Sequence, residues 1–175
     1  MPVISPAGVK AQGNVKLQWV PTIASVTAPT LAEVNAAGSL DLSCFMTAEG
    51  WAPSVDTAKG TSTRRLCSKQ LYEQFGTTTY SLSDLSYIYN PQGTANTDPM
   101  RAYEKLVPGT AGYFVARLGL DGITVEWAAG QFVSVWPVRL GERLETLDPT
   151  DEFAEILITQ SVIVTGARTE RVALA

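Results

Sequence analysis

Histidine is absent from this chain of 175 residues, and its absence removes several classes of chemistry at once. Without histidine the chain has no Ser-His-Asp or Cys-His nucleophile, no imidazole general base and no His-ligated metal site. Only two cysteines, Cys44 and Cys67, are present, which is too few for a cysteine-rich metal cluster and is typical of a reducing cytoplasm. A disulfide between Cys44 and Cys67 is one alternative. We therefore expect no metal and no cofactor.

Charged residues and long apolar runs are also scarce. Only 17% of the residues are charged, whereas average soluble chains have about 25%, so hydroxyl and amide groups must supply much of the polar surface. That composition suits strands better than helices. No apolar run reaches the roughly 18 residues of a membrane helix, and the N-terminus has no basic region followed by an apolar run, so we expect neither a membrane segment nor a signal peptide. The net charge of −4 argues against a protein that grips nucleic acid through phosphate neutralisation.

Short segments in which apolar and polar residues alternate make up most of the chain, and such alternation predicts strands. The predicted strands cover residues 15–20, 40–46, 61–66, 77–90, 112–120, 132–140, 153–164 and 171–174. We expect the strand at 40–46 to pair with one that follows the next loop, and its alternation places Cys44 in the core.

Two segments have helical signals. Residues 29–38 predict a helix of about two turns. The stronger signal begins with Asp98 as the cap and Pro99 at the first position. Its stripe of Met100, Tyr103 and Leu106 is expected to pack on a sheet.

Strands of this number and spacing predict a mainly β fold: a two-sheet antiparallel β-sandwich or half-barrel with one flanking α-helix. Residues 1–14 are interpreted as a flexible N-terminal arm, because they have no periodicity. Residues 15–175 are interpreted as a single β domain with an extended loop at 48–60.

Few residues carry a specific chemical hypothesis. Two carboxylates that face each other in a pocket can catalyse glycoside hydrolysis, and six carboxylates lie close together in the sequence. We interpret them instead as a solvated or electrostatic patch: Glu142, Glu145, Asp148, Asp151, Glu152 and Glu155. Arg64 and Arg65, next to Lys69, are candidates for binding an anion or a neighbouring subunit's acidic patch. A sugar-binding module that stacks its ligand on Trp51 or Trp127 is an alternative hypothesis, although burial of Trp127 is the simpler interpretation. We predict no enzyme activity.

A series of short strings in a fixed order resembles one protein family. The strings are PTLAEVNAAG from Pro29, LDL from Leu40, RRLC from Arg64, YIYNPQ from Tyr87, YEKLVPG from Tyr103, YFVARLG from Tyr113, GQF from Gly130 and WPV from Trp136. Their order, from about residue 15 to 166, resembles the major tail (tail tube) proteins of long, flexible-tailed actinobacterial phages.

This resemblance implies a structural virion protein that forms hexameric rings, which stack into a tail tube for DNA ejection. It implies assembly in the host bacterial cytoplasm, with the tape measure protein and the tail terminator and tip proteins as partners, and DNA passing without specific binding. A hydroxyl-rich or acidic wall would let DNA slide, and the lumen candidates are Asp41, Ser43, Thr79, Ser81, Ser83 and Thr159. Trp51, Arg64 and Arg65 are the inter-subunit candidates. The alternatives are a head-tail connector or tail terminator ring, and a carbohydrate-binding β-sandwich module.

Overall fold

The computed structural model describes residues 7–175 and shows a mainly β protein. In this part of the chain the elements follow one another as β1 (Val15–Val20), α1 (Leu31–Val34), β2 (Leu40–Asp41), β3 (Pro53–Thr61), β4 (Glu73–Leu82), β5 (Leu85–Ile88), α2 (Asp98–Lys105), β6 (Ala111–Leu118), β7 (Phe132–Thr146), β8 (Leu157–Val164) and β9 (Thr169–Ala173).

Seven strands form one curled antiparallel sheet in the order β2-β1-β6-β7-β8-β5, with β9 pairing with the first part of β7. Strands β3 and β4 form a separate two-stranded sheet. The predicted mainly β class, with a half-barrel sheet, a second sheet and little helix, is confirmed. No helix in residues 7–175 is long and apolar enough to cross a membrane.

Both faces of the large sheet carry apolar side chains. The larger core lies on one face, where the rings of Trp19 and Phe114 meet edge to face at 5.2 Å. A side chain at Gly112 would collide with the Trp19 ring, because a Cβ there would lie 2.4 Å from it. The smaller core lies on the opposite face and includes Val115, buried among residues of the first loop and the C-terminus. That smaller core covers only part of its face.

Helix α2 packs on the larger core through the end of its predicted stripe. Leu106 is completely buried, and Met100 and Tyr103 are half-buried. The carbonyl of Leu106 accepts a hydrogen bond of 2.9 Å from Nε2 of the buried Gln160, which fixes the C-terminal end of the helix to β8. The cap is Thr97 rather than Asp98, which is the first helical residue.

The predicted extended loop at 48–60 is wrong, because most of it is strand β3. Residues 61–66 are not a strand either, since β3 ends at Thr61 and residues 62–72 form the connection to β4. The predicted strand at 77–90 is two strands, β4 and β5, which separate at residues 83–84 and belong to different sheets. Strand β3 has no buried face, and a strand without one lacks the apolar alternation that would reveal it.

The predicted strand at 40–46 is also mostly wrong. Strand β2 ends at Asp41 and pairs with β1, and only the end of the predicted segment pairs with a strand after the loop, through an antiparallel bridge between Met46 and Tyr87 of β5. The chain then turns, and Cys44 is exposed rather than in the core. Alternation from Leu40 to Met46 indicated one continuous face, but Asp41 and Ser43 hydrogen-bond to each other and start the turn. Cys67 is exposed as well, and both thiols are free.

The predicted helix at 29–38 is a single turn, α1. Thr30 and Glu33 form a capping box, in which the backbone N–H of Glu33 donates to Thr30 Oγ1 and that of Thr30 donates to Glu33 Oε2. Glu33 also accepts a 2.7 Å hydrogen bond from the backbone N–H of Ala24. This carboxylate therefore connects the helix to the loop that follows β1.

Candidate assembly surfaces

Strands β3 and β4 form a long hairpin whose side chains are nearly all exposed. Only its base meets the larger core, through the half-buried side chains of Tyr80 and Leu82. Its faces are polar over much of their length, with Ser54 opposite Ser81 and Asp56 opposite Thr79. A two-stranded hairpin of this kind is marginally stable without further packing. The hairpin is therefore a surface that lacks a partner within its own subunit.

The far end of the hairpin is both apolar and basic. Its large apolar side chains face solvent, and Phe75 is 79% exposed. Leu66, Leu71 and Tyr72 are exposed in the same region. Arg64 and Arg65 lie in the connection between the strands, and both are exposed. Exposed apolar groups in this density mark an interaction surface.

Free strand edges lie on the hairpin and on β9, whereas the two ends of the main strand order of the large sheet offer little free edge. The outer edge of β5 is covered by its own chain, because Thr47 N–H donates to Ser86 O at 3.0 Å and Ile88 N–H donates to Phe45 O at 2.9 Å. At the other end of the sheet, β2 is only two residues long. Each hairpin strand has one neighbour in the described residues and therefore one unpaired edge. Such edges are templates for pairing with another chain.

A second uncovered surface lies on the large sheet, on the face opposite the larger core. The second half of β7 and its neighbour β8 place hydroxyl and apolar groups there side by side, together with one cation, Arg139, which pairs with Ile163. The Oγ1 atoms of Thr146 and Thr159 are 2.9 Å apart. Leu144 and Ile163, on the same face, are exposed. We call this surface the open sheet face.

The six lumen candidates fall in three separate places. Asp41 and Ser43 lie together at the edge of β1, Thr79 and Ser81 lie on the hairpin with Ser83 after it, and Thr159 lies on the open sheet face. Asp41 also has a structural role, because its carboxylate accepts from Ser43 Oγ at 2.6 Å and lies 3.4 Å from the buried Lys16 ammonium. The six therefore do not form one continuous surface within the subunit.

Trp51 packs mainly inside the subunit. Its ring meets Phe114 at 5.1 Å and Trp136 at 6.2 Å, both edge to face, and the residue is half-buried. Trp127 is buried, with the Arg117 guanidinium 5.2 Å from its ring centre. Sugar-binding platforms need an exposed aromatic face. Trp127 presents no such face and Trp51 exposes only part of its ring, so the geometry does not favour a sugar-binding site.

The six predicted carboxylates are exposed on the second half of β7 and on the connection to β8. Asp148 accepts from the N–H of Thr150 at 3.0 Å and from its hydroxyl at 2.6 Å, and these bonds lower the pKa of Asp148. Asp151 accepts from the N–H of Phe153 at 2.9 Å. A solvated carboxylate patch suits an electrostatic contact, and the lowered pKa of Asp148 is the opposite of the raised pKa that acid catalysis needs.

Sequence reasoning missed two of these features. The hairpin was missed because its strands are polar on both faces. The signal available was the pair of Thr- and Ser-rich segments on either side of the basic Arg64-Arg65 run. The open sheet face was missed because the predicted strand ends at residue 140 whereas β7 continues to Thr146, and because the exposed Ile163 resembles a core position in an alternating strand. Only the contacts of the folded chain distinguish a covered apolar position from an uncovered one.

A model of the phage tail tube protein family matches residues 2–175. The chain belongs to this family. No curated protein matches the sequence significantly. This tail tube protein is therefore a structural component of the phage particle. It assembles with other tail proteins into a tube of many subunits. The family is not known for enzyme activity. The exposed hairpin and the open sheet face are the surfaces that such an assembly has available.

Proposed function

We propose that this tail tube protein assembles into hexameric rings, and that the rings stack into the tube through which phage DNA is ejected. The observation that carries the proposal is the exposed hairpin of a chain that belongs to the tail tube family. A monomer gains nothing from an extended hairpin with two free edges and an apolar end, whereas an assembly buries it. Contacts between unlike surfaces form rings when they close and filaments when they do not.

The open sheet face is the proposed wall of the lumen. Of the six lumen candidates Thr159 has the strongest support, because its hydroxyl lies on that face beside Thr146. Neutral hydroxyl groups do not bind phosphates by counterion release, so DNA slides past them. The other five candidates stay proposals of the same kind. A tube map with a continuous basic stripe along the lumen would contradict this assignment.

The N-terminal arm is proposed to contact the neighbouring ring. In the described part of the proposed arm, residues 7–14 contain a turn but no strand or helix; residues 1–6 lie outside the described residues. Arg64 and Arg65 are proposed inter-subunit residues because the hairpin holds them away from their own core. Trp51 is also a proposed inter-subunit residue, but only the exposed part of its side chain is available for contact with a neighbouring subunit. The proposal also states the source and the partners of the tube. The phage is a long-tailed phage of actinobacteria, the tube assembles in the cytoplasm of the host, and it contacts the tape measure, terminator and tip proteins.

Electron microscopy of negatively stained, purified protein tests the proposal. Tubes of repeated rings with sixfold symmetry support it. Single rings that never stack would favour the alternative, a head-tail connector or tail terminator. A particle that stays monomeric at every concentration would contradict both functions.

A further inference from the structure

The far end of the hairpin has a strong positive charge in an otherwise acidic chain. We call residues 59–75 the hairpin tip. The tip holds Lys59, Arg64, Arg65 and Lys69 with Glu73 as its one acid, a net charge of +3. The complete chain has a net charge of −4, so the tip is opposite in sign to the rest of the molecule.

A second exposed segment has the opposite charge and a similar apolar content. We call residues 147–156, between β7 and β8, the acidic segment. It contains four carboxylates and no basic residue. Phe153 is 84% exposed, and Leu147 and Ile156 are also exposed. The acidic segment thus contains both negative charges and exposed apolar groups, and the tip contains both positive charges and exposed apolar groups.

Neither surface neutralises the other within the subunit. The ion pairs of the described residues use Lys16, Arg101 and Arg168 as their cations. No described ion pair or side-chain hydrogen bond joins the tip to the acidic segment. The high exposure of Phe75 and Phe153 excludes burial of their rings in the same subunit. Both surfaces therefore remain free for another molecule.

We propose that the hairpin tip of one subunit binds the acidic segment of a second copy of this chain. The proposal rests on the proposed function, because it names the partner of the hairpin. Opposite charges orient the two surfaces, and the exposed apolar groups of both become buried on contact. The two surfaces are different parts of the chain, so each bound subunit still presents a free tip or a free acidic segment. A contact of this type extends from subunit to subunit, as a ring or a tube requires.

Charge reversal with rescue tests the pairing. The Arg64→Glu, Arg65→Glu variant changes the tip from +3 to −1, and the Asp151→Arg, Glu152→Arg, Glu155→Arg variant changes the acidic segment from −4 to +2. Each variant therefore places like charges on both surfaces, and the five changes together restore opposite charges. Pelleting and negative stain measure assembly, and circular dichroism checks folding. We expect each reversed variant to need about tenfold more protein for assembly, and the combination to recover most of that loss.

A matched control changes the same charge elsewhere. Arg101→Glu with Lys105→Glu alters two exposed cations on α2, outside both surfaces. We expect this control to assemble as the unmodified chain does. Equal loss in the control, no loss in the two reversed variants, or no recovery in the combination would overturn the pairing.

A disulfide test does not depend on charge reversal. In a Cys44→Ser background, Cys67 of the tip is the only thiol, and Glu152→Cys places a second thiol in the acidic segment. Mild oxidation of assembled protein should then give reducible multimers on a denaturing gel. Glu49→Cys, another exposed acid outside the acidic segment, is the control. Multimers of equal amount in the control would overturn the proposal.

The outcomes separate the two proposals. Unmodified protein that never forms tubes contradicts the proposed function itself. Tubes that form normally in both reversed variants overturn only the pairing. Binding of duplex DNA by the tip, lost in Arg64→Glu, Arg65→Glu while tubes persist, would assign the tip to nucleic acid and overturn the pairing as well.

Discussion

Lys16 and Arg117 lie directly opposite each other on the neighbouring strands β1 and β6, and both are almost completely buried, at 3% and 1% exposure. Two cations in such positions repel each other unless they are individually satisfied. The Lys16 ammonium lies 3.4 Å from a carboxylate oxygen of each of Asp41 and Glu126. The Arg117 guanidinium donates to four oxygens of residues 121–131. Burial lowers the pKa of Arg117, and the nearby carboxylates oppose that effect.

These contacts predict unequal effects of removing the two charges. Arg117→Met removes four hydrogen bonds to three backbone carbonyls and the Gln131 side chain, although Glu126 O keeps a second donor in Gln131 Nε2, so we expect a loss of about 1–3 kcal/mol in the free energy of unfolding. Lys16→Met leaves two carboxylates that reach solvent, so we expect a loss below about 1 kcal/mol. Urea unfolding measures both, with the exposed Arg139→Met as control. Equal losses in the two buried variants would contradict this account of the pair.

Helix α2 provides a test with neighbouring residues. Leu106 is completely buried, and Val107 beside it is 48% exposed. Leu106→Asp buries an uncompensated carboxylate, which costs several kcal/mol, so we expect an unfolded subunit. Val107→Asp should fold and melt close to the unmodified protein. Circular dichroism checks both, and a stable, soluble Leu106→Asp variant would show that the stripe is not part of the core.

The arm has a boundary that deletion can locate. The backbone N–H of Gly122 donates to Gly13 O at 2.8 Å, whereas Val9 is exposed. Deleting residues 1–9 should leave the melting temperature unchanged and weaken ring stacking. Deleting residues 1–13 should also lower the free energy of unfolding by about 1 kcal/mol, because the N–H of Gly122 loses its acceptor, Gly13 O. Loss of folding in the shorter deletion, or normal stacking in both, would contradict the role proposed for the arm.

The capping box predicts a dependence on pH. The pKa of Glu33 is lowered, mainly by the hydrogen bond from Ala24 N–H and then by that from Thr30 N–H. A lowered folded-state pKa stabilises the fold at pH values above the unfolded-state pKa of about 4.3, and the stabilisation disappears as the pH falls through the folded-state pKa. Glu33→Gln should therefore be less stable than the unmodified chain at pH 7 and nearly equal at low pH. A constant difference in urea unfolding at the two pH values would contradict this assignment.

The strands that sequence reasoning found are those with at least one buried face. β1 and β6 are buried on both faces, with Trp19 and Phe114 in the larger core and Val20 and Val115 in the smaller one. Strand β3 has no buried face, and its Thr, Ser and Lys residues are typical of a loop. The pairing of β3 with β4 depends on residues about 20 positions apart, and no local pattern in a polar segment specifies that register.

The candidate surfaces were harder to predict than the fold. Arg64 and Arg65 stand out in the sequence as adjacent cations, but only the structure shows that the hairpin holds them away from the core. Thr159 and Thr146 become neighbours because β7 and β8 pair across a bulge at residues 141–142. Asp41 is one of the predicted lumen residues, and its carboxylate pairs with Lys16 of its own subunit. Contacts between distant strands decide which polar residues are available to a partner.

Shortening the hairpin separates folding from assembly. Ser83 N–H donates to Ala52 O, so the alternating hydrogen-bonded pairs include Asp56 and Thr79. Replacing residues 57–78 with Asn-Gly joins that pair through a two-residue turn of the kind that hairpins favour. Tyr80 and Leu82 keep their places against the core.

The most direct test of the central claim is negative-stain electron microscopy of the shortened variant beside the unmodified protein, at the same concentration and salt. We predict long tubes of stacked rings for the unmodified protein and no tubes for the shortened variant, although circular dichroism shows the latter to be folded. Tubes of normal length from the shortened variant would contradict the claim that the hairpin carries the assembly.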